Sequence, residues 1–475
     1  MAKQSDHMRG GDADLAKIKR DLIEKGVRYC LASYVDVHGI AKAKAVPVDH
    51  FERMMRGSEL FTGAAVDGLG QGPNDDELAV FPDPGAVVQL PWRPEIAWCP
   101  GNLKFHKDPW PMCSRTILAA QVERARKMGY RFNLGIECEL YIVRREGDRL
   151  EPANPKDVIP RAAYDVINLL EEFDWCDEMI RYMNEMGWNV HSLDHEDANS
   201  QFEFDFAYSD VMTMADRYVL FRMMAKEIAR RYGYEATFMP KPWAEKTGSG
   251  AHFNMSLDDL KTGKNVMGDA SDKRGCGLSK VAYQFVAGVL AHGPAIAAVS
   301  CPTVNSYKRL VKTGSMTGFT WAPIYVTYGY NNRTNMMRVP WIRPEIEGNA
   351  KSHKGVYLSS ARLECRAVDT ACNPYLAAAM MLAAGLDGIE KNMDPGDPNQ
   401  DNLYLVSEGD LKKRKIETLP RTLLEAVDAF RRDSFGKTVF GEGLYDSFIE
   451  LKEREWWNYH NTVSTWELDN YLSKF

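Results

Sequence analysis

The 475-residue sequence has nine cysteines and not one CxxC pair, so it indicates neither a disulfide framework nor a cysteine-held zinc, and the thiols read as reduced. It has no basic excess: 59 Lys and Arg against 66 Asp and Glu leave a net charge of −7, which argues against nucleic acid as a partner. It lacks an unbroken apolar run long enough for a membrane. The most lipid-like stretch, VAYQFVAGVLAHGPAIAAVS at 281–300, is interrupted by Gln284, His292 and a Gly293-Pro294 break, and it predicts two buried helices with no membrane contact. The first residues, MAKQSDHMRGGDADLAKIKRD, carry charges throughout, unlike a secretory signal. A soluble, cytoplasmic protein is expected. The usual nucleotide loops are lacking as well. Lys437 and Thr438 in SFGKTVF imitate the end of a P-loop, but Arg431 stands where its first glycine belongs, and GLGQG at 68–72 does not run from a strand into a helix.

What is present is a large core-forming composition, 45% apolar and 26% charged, in a chain too long for one compact core; two domains are expected. Residues 13–25 have the periodicity of an amphipathic helix ended by Gly26. RYCLASYVDVHGIAKAKAVPV predicts two strands around a turn at His38-Gly39, and ELAVFPD and AVVQLPW add further strands. A small α+β domain at 24–108 and a larger one at 113–475 follow, divided at DPWPMC, with Ser114 as candidate cap of the next helix. Asn373 as cap and Pro374 at the first helical position predict a buried helix over NPYLAAAMMLAAGLDGI.

Chemistry enters with GIECELYI at 135–142. Glu137 and Glu139 stand two residues apart in a strand-like run, which puts both carboxylates on one face. Three other segments repeat the pattern. SQFEFDF sets Gln201, Glu203 and Asp205 opposite three phenylalanines, seven residues after Glu196; GSGAHFNMSL sets His252, Asn254 and Ser256 opposite apolar residues; ARLECRAV does so with Arg362, Glu364 and Arg366. Each alone is an ordinary strand with a solvated face. If the strands share a sheet, its polar face gathers at least four carboxylates, a histidine and two arginines, an excess of like charge that needs cations. Oxygen-rich sites with few nitrogen ligands suit Mg²⁺ or Mn²⁺. Arg309, Arg333 and Arg338 extend the cationic set, and guanidinium forks suit phosphates and carboxylates.

These segments in this order, with NSYKRL, GSGAH, NPYLA followed by AGLDGI, and the terminal WELDNYL, resemble the glutamine synthetase family over nearly the whole chain. The resemblance implies an α+β fold: an N-terminal β-grasp domain and a catalytic domain whose antiparallel-strand funnel is flanked by helices. It also implies a dodecamer of two hexameric rings with active sites between subunits. ATP and two or three Mg²⁺ or Mn²⁺ ions are the implied cofactors. Glu139, Glu196 and Glu203 resemble the ligands of one ion, and Glu137, His252 and Glu364 those of a second near the transferred phosphate. Arg309 and Arg366, with Thr247 and Gly248, resemble the contacts of L-glutamate. Arg333 and Arg338, as catalytic groups, and Arg362 resemble the phosphate-end arginines, and Ser256 a nucleotide contact; Asn254 stands where the family often has histidine. The implied chemistry is phosphorylation of the γ-carboxylate by ATP, then displacement of phosphate by an amine.

Two departures bear on the amine. Where the family typically shows Phe-Asp-Gly-Ser-Ser, this chain has Phe61-Thr62-Gly63-Ala64-Ala65. Where a mobile family loop carries a glutamate before Ala-Pro, it has the longer VKTGSMTGFTW, with Trp321 at the matching place. Both carboxylates for an ammonium ion are gone, and Thr62, alanine and Trp321 offer apolar contact, so a short alkylamine, above all methylamine, is expected. Asp67 is a candidate base, and Tyr404 is expected to be unmodified. The alternatives are a glutamine synthetase using ammonium and an inactive structural or regulatory member.

Overall fold

The computed structural model describes residues 12–147, 149–312, 321–340 and 360–475. The charged N-terminus up to residue 11 and most of the substituted loop, residues 313–320, lie outside the described residues.

The N-terminal part opens with the helix Asp12–Glu24, and Gly26 follows with φ +84°. The strands Tyr29–Val35 and Ala41–Pro47 form the expected hairpin, and Gly39 takes the left-handed conformation its turn requires (φ +77°). Asp36 Oδ1 accepts from the amides of His38 and Ile40 and fixes that turn. Tyr29–Val35 also pairs in parallel with Arg93–Phe105, which pairs antiparallel with Leu78–Pro82, a β-grasp-like arrangement. A separate apolar cluster that includes Phe51, Met54, Leu78 and Leu103 fills it.

The main core surrounds the helix Pro374–Glu390, which is buried along almost its whole length. Asn373 caps it as expected, accepting from the amides of Tyr375 and Leu376, and its Nδ2 donates to Asp36 O, tying the hairpin turn to the central helix. Gly288 of the helix Lys280–Ala291 faces Gly388 of this helix so closely that a Cβ on Gly288 would stand 2.0 Å from Ala384 O. The 281–300 stretch forms two helices, Lys280–Ala291 and Gly293–Ser300, bent by 75° at the glycine-proline break. No single described helix is long and apolar enough to cross a membrane. Lys437 and Thr438 lie inside the helix Phe435–His460, not in a loop.

Two expectations need correction. The helix Ser114–Lys127 is capped by Cys113, without a side-chain bond; Ser114 is already helical, and its hydroxyl instead donates to Val35 O at 2.9 Å. More consequentially, GIECELYI is not one strand and the polar-faced segments do not share one sheet. The strand Tyr130–Ile136 belongs to a six-stranded sheet with Phe253–Asp259, Leu363–Cys365 and Asn335–Val339. The strand Cys138–Glu146 belongs to a five-stranded sheet with Gln201–Phe206 and Val190–His195. Glu137 is the crossing point between them.

His292, between the two bent helices, clamps the core from one side. Its Nδ1 lies 2.6 Å from Asp433 Oδ2, its Nε2 lies 3.2 Å from Asp387 Oδ2, and its ring stacks on Phe435. Burial alone would lower its pKa, but the two carboxylates outweigh that and raise it above the ordinary histidine value. A raised folded pKa means that this contribution is complete below the unfolded value of about 6.5 and is lost as pH rises through the folded value. His292→Gln is therefore expected to cost about 2 kcal/mol at pH 6 and clearly less at pH 9. Urea unfolding at both pH values checks this, and an equal loss at both would contradict the charged clamp.

Candidate active site

Strand register builds the site from two rows of side chains. In the six-stranded sheet Asn254 lies opposite Glu364, and Glu364 lies opposite Arg338, so the three stand side by side on adjacent strands. In the five-stranded sheet Glu139 lies opposite Glu203, and Glu203 opposite Asp194, a row of three carboxylates. The rows meet where the chain changes sheets. There Glu137 N donates to His252 O at 3.1 Å and Glu139 N to Gly250 O at 3.3 Å, so the segments 137–139 and 250–252 hold each other across the junction.

His252 sits at the meeting point. Its Nδ1 is 2.8 Å from Glu137 Oε2 and 3.8 Å from Glu364 Oε1, and its Nε2 is 3.6 Å from Glu139 Oε1. Burial first, and then the charge of Arg366, push its pKa well down, which favours the neutral imidazole that can ligate a metal. Ligand atoms of Glu137, His252 and Glu364 lie within 4.8 Å of one another, and so do those of Glu139, Glu203 and His252. The first trio is the one expected from the sequence. In the second, His252 stands where Glu196 was expected. Glu196 is near enough to raise the pKa of Glu139, and its Oε2 accepts from the amide of Asp197 at 3.0 Å. A third trio, Asp194, Glu203 and Asp205, was not singled out, although Asp194 alternates with Glu196 just as Glu203 does with Asp205.

The electrostatics divide the site in two. On the acidic side, burial and then the neighbouring Glu196 push Glu139 up to about 8, and burial and then Glu137 push Glu203 well above the usual carboxylate range and Asp205 to about 7. Crowding and burial disfavour the charged state of these carboxylates, and divalent cations fit them as ligands. On the other side Glu364, with no exposed surface, accepts from Arg338 at 2.5 Å and from Arg366 at 2.6 Å. Arg309 is buried against them and donates to Arg366 O. Arg309 Nη1, Arg338 Nε and Arg366 Nε are buried donors without an acceptor among the described residues, a set that fits an anionic ligand. Arg333 lies exposed on the turn before Asn335–Val339, within reach of the charges of Arg338 and Arg366.

The remaining predicted residues fall into place unevenly. Arg362 Nε donates to Asn254 Oδ1 at 3.0 Å while Asn254 Nδ2 donates to Glu137 Oε1 at 2.9 Å, so Asn254 links the arginine to the acidic junction. Ser256 follows two residues later on the same face, opposite Asn133. Gly248, next in the chain to Thr247, lies beside Arg309, and a Cβ on it would stand 2.6 Å from Pro240 O, which is why glycine is needed there. Trp321, 40% exposed, joins through its carbonyl, which accepts from Arg366 Nη2 at 3.1 Å. Thr62 is not brought together with these groups within the chain. It is exposed, and its hydroxyl donates to Glu77 at 3.2 Å. Tyr164, close enough to Glu196, Asp194 and Arg333 for their charges to act on it, was missed and carries no sequence signal.

Fold and site thus define a mixed α+β protein in which an acidic cluster suited to divalent cations adjoins a cluster of arginines suited to carboxylate or phosphate. Residues 111–471 match the family model described as "Glutamine synthetase, catalytic domain". The chain is 39% identical over 455 residues, 96% of its length and 98% of the relative's, to a glutamate–methylamine ligase of Methyloversatilis universalis. It is 35% identical over 459 residues to a glutamine synthetase of Rhizobium leguminosarum bv. phaseoli, covering 97% and 99% of the two chains. A solved GmaS/ADP complex superposes with a TM-score of 0.85 at 36% identity, covering 97% of this chain and 99% of that one. The chain belongs to the glutamine synthetase family, a family of ligases that use ATP and divalent metals.

If the first trio holds a cation, Glu137→Gln is expected to weaken Mn²⁺ binding by at least about tenfold, since loss of even an outer-shell partner costs that much. Free Mn²⁺ followed by electron paramagnetic resonance during a titration checks this. Unchanged affinity would remove Glu137 from the ligand set.

Proposed function

We propose that this ligase joins the γ-carboxylate of L-glutamate to methylamine, or a similar short alkylamine, giving the γ-glutamyl amide, ADP and phosphate. The observation that carries the chemistry is Glu364, one buried carboxylate that faces Glu137 and His252 on one side and is gripped by Arg338 and Arg366 on the other. Cation and anion sites are therefore adjacent, as phosphoryl transfer onto a carboxylate requires. The 39% identity to a protein named glutamate–methylamine ligase supports the choice of amine.

A carboxylate resists attack by an amine, so the γ-carboxylate oxygen first takes the terminal phosphoryl group of ATP and ADP departs. The amine nitrogen then attacks the acyl carbon of γ-glutamyl phosphate, phosphate leaves, and the nitrogen gives up a proton. Arg309 and Arg366 hold the glutamate carboxylates, with the 247–248 loop beside them. Arg333 and Arg338 stabilise the transferring phosphoryl group, and Arg362 and Ser256 face the nucleotide. Glu139 and Glu203, with Glu196 beside them, would hold one Mg²⁺ or Mn²⁺, and Glu137, His252 and Glu364 would hold a second. When bound, these ions, two or three per site, offset phosphate charge and polarise the transferring group.

The amine pocket draws on Thr62 and Trp321, with active sites formed between subunits of a cytoplasmic dodecamer of two hexameric rings. That arrangement is consistent with Thr62 standing apart from the cluster within one chain. Asp67 has no proton-accepting role in this reading. The hydrogen bond from His38 and the charge of Arg454 hold it below the usual carboxylate range, which makes it a weak base.

The competing assignment is a glutamine synthetase, supported by the 35% identity to the Rhizobium enzyme. Phosphate release from ATP with glutamate and Mg²⁺ or Mn²⁺ separates the two when ammonium, methylamine and ethylamine are compared. Methylamine is expected to show kcat/KM about tenfold or more above ammonium. A higher value for ammonium would overturn the amine assignment, and no turnover with any amine would favour an inactive member.

A further inference from the structure

We propose that Asp197 is a positioning residue for the glutamate substrate, acting through the hydroxyl of Thr247; this rests on the reading that glutamate binds beside the 247–248 loop. Thr247 is the residue of that loop whose side chain could meet a substrate directly. Yet its Oγ1 donates to Asp197 Oδ2 at 2.5 Å, and both residues are buried, 5% and 7% exposed. The carbonyl of Thr247 is held too, accepting from Tyr141 OH. The hydroxyl proton and the carbonyl of Thr247 are therefore both committed to the protein, which fixes where this loop stands beside the substrate.

Around this bond the 195–201 and 246–250 segments are laced together by alternate residues. Asp197 takes Thr247, Asn199 accepts from Lys246 Nζ at 2.5 Å, and Gln201 Nε2 donates to Gly248 O at 3.2 Å and Ser249 Oγ at 3.1 Å. The first segment is anchored from behind by Asp157, which bonds His195 Nε2, Asn199 Nδ2 and Ser200 N. The backbone amide of Asp197 also donates to Glu196 Oε2. One residue thus holds a carboxylate of the acidic cluster through its main chain and the substrate loop through its side chain. A buried hydrogen bond to an acidic side chain fixes geometry sharply, and losing it frees the loop from that contact.

Thr247→Val keeps the shape and removes the hydroxyl. It is expected to raise KM for glutamate about tenfold while kcat and KM for ATP stay within about twofold, and Thr247→Ser is expected to restore the wild-type value. Asp197→Asn, which still accepts a hydrogen bond, is expected to retain most of the affinity, and Asp197→Ala to behave like Thr247→Val. If Asn fails as badly as Ala, the charge itself touches substrate and the positioning role is overturned. If Thr247→Val lowers Tm but leaves KM for glutamate unchanged, the bond is merely structural and the proposal fails. The rise in Tm caused by glutamate provides a readout independent of turnover. Wild type that shows this rise but transfers no phosphoryl group would defeat the functional reading alone, and loss of the rise in Thr247→Val with its return in Thr247→Ser would still uphold the role of Asp197.

Discussion

A carboxylate with no exposed surface must find donors for both its oxygens inside the fold, and Glu364 imposes that condition on everything near it. It meets the condition with Arg338, opposite it on the neighbouring strand, and Arg366, two residues along its own chain. Arg366 then fixes further parts: its carbonyl accepts from Arg309 and its guanidinium donates to the carbonyl of Trp321. Breaking such a buried ion cluster by removing one member costs about 3 to 5 kcal/mol, so these positions are not independently adjustable. The cluster does little for net stability compared with an apolar substitute, but it fixes in one place three arginines whose buried N–H groups find no acceptor among the described residues.

The acidic half obeys the opposite rule. Glu139, Glu203 and Asp194 face one another across three strands without an arginine bonded to any of them among the described residues, an arrangement that by itself disfavours the charged state. One half of the site is therefore short of anions and the other short of cations. A substrate carrying carboxylates and phosphates, accompanied by divalent ions, supplies both deficits at once. That complementarity is a stronger argument for the chemistry than any one residue.

Much of this was legible in the sequence, and the part that was not has a definite physical reason. Period-2 alternation revealed the polar faces of SQFEFDF, GSGAHFNMSL and ARLECRAV because each is a real strand with one buried side, and Asn373-Pro374 announced a helix start because capping is a local interaction. The crossing at Glu137 was invisible for the converse reason. Alternation continues through it, since the segment 250–252 supplies partners on the far side, and neither neighbour of Glu137 is a glycine or a proline. Ser114 has the composition of a cap, yet the nearby Val35 carbonyl attracts its hydroxyl, a tertiary contact that propensity cannot register. Tyr164 and the Asp197–Thr247 bond depend on folding distant segments together, and only coordinates bring them into view.

The crossing also explains how two carboxylates two residues apart come to serve different neighbours. On one continuous strand they would point the same way about 7 Å apart and look onto the same sheet face. The change of sheet turns Glu137 toward Glu364 and Glu139 toward Glu203, with His252 between. Under the proposed function, recognition of the amine falls to other elements, Thr62 in the N-terminal part and the approach to Trp321, whose side chains can change without altering the carboxylates of the junction. A methyl group gains only about 0.8 kcal/mol from apolar contact, roughly a fourfold preference over a hydrogen atom. Apolar contact alone is thus too weak to exclude a more abundant ammonium ion. Under the proposed function, selectivity must come mainly from the carboxylates this chain lacks, Thr62 and Trp321 standing where the family places acidic groups, so that ammonium loses its partners while methylamine loses little.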